Sequence, residues 1–275
     1  MRKLLKRKVF RICLVIIIVI TCYLIWENNQ IQITNYTAQS SKLPEIFNGF
    51  RIAQISDLHN AQFGKDNVRL LEKLKSTKPD IIVLTGDLID SRHTNTEIAI
   101  SFAENACKIA PTYYIPGNHE SRIDNIQSFY QDLKSVGVIL LLDNNEVITK
   151  ETDSICIAGV IDPAFKTNEE WFSSLEYSVT NDNIYTVLLS HRPELFEDYN
   201  ADLVLTGHAH GGQVRIPYIG GIFAPAQGFL PEYDSGLYVK KDTTMIVNRG
   251  VGNSLFPVRV NNPPEIVVIQ LESKK

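Results

Sequence analysis

TGHAHGGQV, residues 206–214, sets two of the chain's six histidines, His208 and His210, one residue apart between glycines. It continues DLVLTG (202–207), a short apolar run of the kind that forms a buried strand. In extended chain, residues i and i+2 project to the same side, so the pair reads as an imidazole clamp at a strand end. Gly207, Gly211 and Gly212 allow the tight turns and close backbone approach that such a clamp needs. Two solvated loop histidines are the competing reading, and the rest of the chain decides.

The same pattern recurs toward the N-terminus. FRIAQIS (50–56) runs into Asp57 and His59, DIIVLTGD (80–87) ends in Asp87, and TYYIPGN (112–118) ends in Asn118 before His119. IYTVLLS (184–190) runs into His191. Stretches with helical spacing intervene at 66–77, 96–109 and 125–137, with a shorter one at 169–175. Beyond Gly211 the chain turns to strands punctuated by glycine and proline: QVRIPYI, GLYVK, TMIVNRG and EIVVIQLE. Alternating β and α followed by a β-rich end predicts a layered α/β fold with two sheets. Carboxyl ends of strands converge on one crevice in such folds. Five of the six histidines, His93 excepted, fall at these strand ends with Asp57, Asp87 and Asn118.

Imidazole, carboxylate and amide oxygen together suit borderline divalent ions such as Mn²⁺, Fe²⁺ or Zn²⁺. The set is too rich in histidine for Ca²⁺. Seven candidate ligands exceed one tetrahedral zinc, so two ions sharing a carboxylate is the economical reading. Taken singly, the residues have plainer readings. Asp87 and Asn118 suit turns, Asp87 suits a helix cap, and His191 suits a polar helix entry. His93 reads as an exposed loop residue.

In this order, DLH, GD, GNHE, SH and GHAHGGQV resemble the calcineurin-like metallophosphoesterases, from about Phe50 to the C-terminus. LLSHRPE, GHAHGGQVRIP, SGLY and NRGVG further resemble a bacterial, membrane-associated phosphodiesterase-type subgroup. The resemblance implies a two-sheet αββα sandwich and a pair of divalent metal ions. It implies that Asp57, His59 and His210 hold one ion, that Asn118, His191 and His208 hold the other, and that Asp87 bridges them. His119 would be the catalytic histidine, placed to protonate or stabilise the leaving-group oxygen. The reaction expected is hydrolysis of a phosphodiester or pyrophosphate by a hydroxide held between the ions. A phosphomonoesterase of broad specificity and a catalytically silent binding protein on the same fold are the alternatives. Similar subgroup members act on phosphodiesters and on lipid-linked sugar nucleotides, which makes a lipid or cell-envelope phosphate ester the expected substrate class.

The N-terminus is a separate object. MRKLLKRKVFR is strongly basic, and ICLVIIIVITCYLIW (12–26) is wholly apolar apart from Thr21. Fifteen helical residues span about 22 Å at roughly 1.5 Å each, so Val9, Phe10 and a snorkelling Arg11 are needed for a ~30 Å core. Tyr23 and Trp26 fall where an interfacial aromatic belt belongs. No A-x-A-like cleavage site follows, and VITC is a poor lipoprotein box. The expected organisation is a basic cytoplasmic flank (1–11), a transmembrane signal anchor (12–26), a tether (27–43) and a catalytic domain (44–275). No Lys or Arg follows until Lys42, so the positive-inside rule puts the N-terminus in the cytoplasm and the body outside a cell membrane crossed once.

Composition bounds the rest. A net charge of −4 with 44% hydrophobic and 21% charged residues is that of a globular protein without a nucleic-acid partner. Four cysteines, Cys13, Cys22, Cys107 and Cys156, make no metal-type spacing, and a Cys107–Cys156 pair stays open. Asp90 and Glu120 are candidate supporting partners of the ligands. Arg192 and Arg249 are candidate phosphate contacts, with structural ion pairs as the other reading. GGIFAPAQGFLPEYDSGLY (220–238) suits a loop lining a cleft, where Phe223, Phe229 and Leu230 meet an acyl chain or the bilayer, or simply pack locally.

Overall fold

Successive side chains of a strand leave a sheet on opposite faces, and the core divides accordingly. In the computed structural model, which describes residues 2–179, 183–253 and 256–274, twelve strands form two six-stranded sheets. Met1 of the expected flank and Lys275 of the expected domain lie outside the described residues. The first sheet orders β1 (Gln32–Ser40), β16 (Glu265–Ser273), β2 (Arg51–Ile55), β3 (Ile81–Thr85), β4 (Thr112–Ile115) and β5 (Ile139–Leu140). The second orders β14 (Gly236–Lys240), β15 (Thr243–Val247), β9 (Leu203–Thr206), β8 (Tyr185–Leu189), β7 (Asp153–Gly159) and β6 (Asn144–Lys150). Strands β2 to β5 run parallel, as do β7, β8, β9 and β15, so the ends that carry the motifs point the same way within each sheet.

Ile81, Val83, Tyr113 and Ile115 face Ile157, Val187, Leu189 and Leu205 in the core between the sheets. Their neighbours Ile82, Leu84 and Tyr114 turn outward to a layer that includes α2 (Val68–Ser76), α3 (Thr96–Cys107) and α4 (Ile126–Ser135). Leu74, Phe102 and Phe129 fill it. Behind the second sheet, α5 (Asn168–Ser178) presents Trp171 and Leu175 to Ala158, Leu188 and Val204. This is the expected αββα sandwich. Asn95 caps α3 and a Thr167–Glu170 capping box starts α5, each satisfying helix N–H groups that would otherwise lack a partner. Two short ribbons, β10 (Arg215–Ile216) with β11 (Gly220–Gly221) and β12 (Phe223–Ala224) with β13 (Gly228–Phe229), follow the HAH segment. Cys107 and Cys156 are free thiols in separate helix-side clusters, which closes the disulfide question.

The first helix, α1 (Arg2–Asn28), is long and apolar enough from Lys6 to Asn28 to cross a membrane, with none of its apolar window buried. Beyond it the expected tether over 27–43 needs correction. Gln32–Ser40 is a strand, paired residue for residue and in parallel with Glu265–Ser273. Ile31 and Ala38 are buried, and Glu27 is buried as well. An edge strand needs few apolar residues, and its partner lies more than 200 residues away, so local patterning reads it as linker. Strand β6, at the edge of the second sheet, escaped because it is mostly polar, although its partner β7 follows directly. A chain shortened to begin at residue 23, which keeps Tyr23, Glu27 and Asn28 on the body, should keep the thermal midpoint of the full body. One beginning at residue 41 should lose at least about 3 kcal/mol, roughly 6–12 °C by circular dichroism, because β16 becomes an unpaired edge.

Candidate metal centre

The motif-bearing strand ends meet across the seam between the two sheets. Gln54 at the end of β2 ties them, its Nε2 donating to Thr85 Oγ1 (3.0 Å) in one sheet and to Thr206 O (2.8 Å) in the other. Gly207 lies so close to the end of β2 that a Cβ there would overlap Ser56 Oγ and Asp57 Oδ2. The Asp57 carboxylate accepts the His208 N–H at 3.1 Å to Oδ2. Backbone bonds from Asp57 N to Gly86 O and from His59 N to Asp87 O, both 3.0 Å, set the ends of β2 and β3 side by side.

Extended chain is not what brings the i, i+2 pairs together. Asp57, His59, His208 and His210 have φ of 54°, 45°, 65° and 48°, in the left-handed region, and Asp87 joins them at 52°. Each pair faces the site because the backbone kinks at both members, while Leu58 and Ala209 between them turn into the two helix-side cores. Such kinks at non-glycine residues cost about 1–3 kcal/mol each and persist only where the surroundings over-determine them.

Two buried triplets result, Asp57–His59–His210 and Asp87–His191–His208, with ligand atoms within 4.8 Å of one another in each. His210 Nε2 lies 3.4 Å from Asp57 Oδ1 and 3.2 Å from His59 Nε2. His191 Nε2 lies 3.2 Å from His208 Nδ1. Asp87 Oδ2 serves both sides, 3.6 Å from His59 Nε2 and 3.2 Å from His191 Nε2. Its other oxygen accepts the His119 N–H at 2.8 Å. His191 Nδ1 is 2.8 Å from Thr85 O, which fixes the ring so that Nε2 faces Asp87.

The electrostatics ask for cations. Burial alone would raise Asp57 and Asp87, but the surrounding histidines outweigh it and hold both carboxyls well below their ordinary range. Burial would lower His191, yet Asp87 and Asp57 hold it well above its usual value. A divalent ion meets the same demand, taking the place of protons. Burial, with His59 and Arg259 nearby, pushes His210 down to about 3, and burial with His191 lowers His208 strongly, leaving neutral imidazoles able to ligate. Asn118 Oδ1, on the residue before His119, is buried without a hydrogen-bond partner. Buried carboxylates, neutral imidazoles and an orphaned amide oxygen fit divalent metal ions.

His59, Asp87 and His119 form a third close group, so proximity does not exclude His119 as a ligand. Its tautomer speaks otherwise. Ser91 N–H donates to His119 Nδ1 (3.1 Å), and burial lowers its pKa, so the neutral ring carries its proton on Nε2. Of the expected supporting pair, Glu120 is a clamp. Its carboxylate accepts the N–H groups of Asp87 (2.9 Å), Leu88 (2.7 Å), Ile89 (3.3 Å) and Gly117 (2.8 Å), shaping the loop that carries Asp87. Asp90 lies 3.6 Å from His119 Nδ1 and is paired with Arg92. Arg192 and Arg249 are committed to Asp162 and Glu265, so both are structural ion pairs.

Two residues at the site escaped the sequence reading. Glu194 Oε1 stands 3.9 Å from His208 Nε2, beyond hydrogen-bond reach, and 3.5 Å from Arg192 Nη1. Its signal was adjacency to His191 in SHRPE. Arg259 is wholly buried, donating from Nη2 to Gly252 O (2.6 Å) and lying 3.4 Å from His210 Nδ1. A lone arginine in PVRVNN gives no local sign of that role.

Comparison with known proteins agrees with this geometry. The family model described as calcineurin-like phosphoesterase matches residues 50–212. The Bacillus subtilis metallophosphoesterase YkuE is 31% identical over 255 residues, 90% of this chain and 87% of its own length. The Escherichia coli phosphodiesterase YaeI is 29% identical over 235 residues, 81% of this chain and 82% of its own. A Danio rerio transmembrane protein with a metallophosphoesterase domain is 28% identical over 254 residues, 84% of this chain and 55% of its own. Gly207→Ala changes no ligand, yet should weaken metal retention by roughly 10–100-fold, because its methyl displaces Asp57. Elemental analysis after dialysis against a graded chelator checks this.

Proposed function

Because the chain belongs to the calcineurin-like phosphoesterase family, we propose that it is a membrane-anchored, metal-dependent phosphodiesterase acting on a lipid or cell-envelope phosphodiester. The observation that carries the catalytic reading is Asp87 Oδ2, one buried oxygen facing both histidine groups at 3.6 and 3.2 Å. In this reading Asp57, His59 and His210 hold one divalent ion, Asn118, His191 and His208 the other, and Asp87 both. Ions of the Mn²⁺, Fe²⁺ or Zn²⁺ kind, when bound, supply Lewis-acid polarisation of the phosphoryl oxygens and a nucleophilic water at neutral pH.

The chain's own residues do the positioning. Glu120 fixes the loop of Asp87, and Asp87 fixes the backbone of His119. His119 Nε2–H would then hydrogen-bond the leaving-group oxygen and stabilise its developing charge, and full proton transfer would start from the imidazolium, which Asp90, 3.6 Å from Nδ1, would stabilise and which would return to the neutral ring. A diester is favoured by charge. A monoester carries about −1.5 to −2 near neutral pH and a diester about −1. Arg192 and Arg249, which would have met the extra charge, are already neutralised.

Anchoring is supported by the unburied apolar helix and by the name of the Danio rerio relative. The N-terminal basic residues, Arg2 to Arg11, all precede the apolar stretch of the helix (12–26), which favours a cytoplasmic N-terminus and an extracytoplasmic catalytic domain. A substrate of the cell envelope is the class such an enzyme meets at its own membrane.

The test is hydrolysis of bis-p-nitrophenyl phosphate against p-nitrophenyl phosphate by the full chain in detergent, with Mn²⁺, Zn²⁺ or chelator. Metal-dependent turnover of the diester in preference to the monoester is expected. Preference for the monoester would replace this reading with the phosphomonoesterase. His119→Ala should retain its metal while kcat falls by roughly 10²–10⁴-fold. Equal loss of metal would make His119 a ligand.

A further inference from the structure

Beyond the metal centre, the most exposed apolar residues of the body, Tyr218, Phe229, Phe256, Leu230, Val239 and Ile219, all lie on the segments that follow His210. Ile216, Tyr218 and Ile219 project from the first ribbon, Phe229 and Leu230 from the second, and Phe256 from the loop beside them. Tyr218 is wholly exposed and Phe229, although edge-on to Phe223 with centroids 5.4 Å apart, is 79% exposed, an arrangement unfavourable in water. Hydrogen bonds join these pieces. Leu230 N–H reaches Ile222 O (2.9 Å), and Gln213 Nε2 reaches Phe256 O (2.9 Å).

The place of this rim relative to helix α1 says what covers it. Asn261 Nδ2 donates to Arg215 O (3.2 Å) in the first ribbon, and Asn261 Oδ1 accepts the Tyr23 hydroxyl (3.1 Å). Asn261 N–H also donates to Glu27 Oε2 (2.9 Å). Asn28 grips the backbone of Arg259 from both sides, accepting its N–H (2.8 Å) and donating to its carbonyl (2.9 Å). The end of the helix is thus fastened to the body next to the rim. Tyr23 and Trp26, exposed on the helix with ring centroids 6.1 Å apart, are the residue types that sit at headgroup depth. Tyr23 touches Asn261 directly, so the ribbon bound to Asn261 stands at that same depth.

We propose that the rim formed by Ile216, Tyr218, Ile219, Phe229, Leu230 and Phe256 rests in the bilayer surface beside helix α1. The metal centre then takes its phosphodiester from the membrane interface rather than from solution. This rests on the anchored reading above. The site and the rim move as one piece. Gly212, two residues past His210, packs so closely on Gly221 of the first ribbon that any Cβ would overlap its backbone. Asn262 Nδ2 also holds His210 O at 2.7 Å. Apolar side chains lying in an interface reach about 5–10 Å into the headgroup and acyl boundary.

The full chain is reconstituted in phosphatidylcholine vesicles, some of them with acyl chains brominated near the headgroup, and flotation confirms insertion. In a Trp26→Phe background, Trp171 is buried and gives an unquenched reference. Added tryptophans in Tyr218→Trp and Phe229→Trp should lose about half their emission or more to the brominated lipid, at the depth expected for interfacial side chains. Val147→Trp, on the far edge strand β6, should lose none. Flotation without quenching at 218 and 229 overturns the rim and leaves the anchor standing. Failure to float overturns both, while diester hydrolysis in detergent still tests the metal centre separately. Protection from the lipid with two chains per particle by mass would assign the rim to a second copy and overturn the proposal.

Discussion

Two carboxylates, Asp57 and Asp87, are held ionised in a seam from which solvent is excluded. Burying an ionised carboxylate without compensation costs far more than any one packing contact returns. Everything around them serves that charge. Five left-handed kinks aim Asp57, His59, Asp87, His208 and His210 inward, Glu120 pins the Asp87 loop by three N–H bonds and Gly117 by a fourth, and imidazoles crowd the oxygens. The strain is tolerable because the sheets on both sides are closely packed, and it is useful because a cation relieves the repulsion that the fold creates.

The centre belongs to neither sheet alone. Asp57, His59, Asp87, Asn118 and His119 follow strands of the first sheet, whereas His191, His208 and His210 follow strands of the second. Asp87 Oδ2 can face both groups only while the sheets keep their register, which Gln54 enforces from one β2 side chain to Thr85 and Thr206. Losing inter-sheet alignment by an ångström would therefore affect chemistry before it affected stability.

Much of this was legible in the residues. Apolar runs that each end in a ligand-type side chain define buried parallel strands, and they located every strand end that reaches the site. Five histidines at those ends then gave the chemistry. What stayed hidden had non-local or conformational causes. Strand β1 is polar enough to read as linker because its only sheet partner, β16, lies at the other end of the chain. The HAH and DLH pairs were rightly placed on one side, but by left-handed backbone rather than by extended chain, which no side-chain pattern distinguishes. Arg259 acts from a segment without motif or periodicity, and its burial is visible only once Gly252, Asn28 and His210 are gathered around it.

That arginine also changes how the N-terminal helix is understood. An anchor on a loose tether would only raise local concentration, leaving the active site free to tumble above the membrane. Here no such tether exists, because Asn28 holds the Arg259 backbone and β1 begins at Gln32. From Arg259 the connection passes to Gly252 and His210, and from His210 through Gly211 and Gly212 to the exposed ribbons. Helix, His210 and apolar rim thus form a continuous packed path, so a membrane that fixed the tilt of the helix would also fix the direction in which the buried cluster opens. In the proposed membrane-anchored phosphodiesterase, orientation of that kind would select among phosphodiesters by where their phosphorus lies relative to the bilayer, before any contact with a leaving group is made.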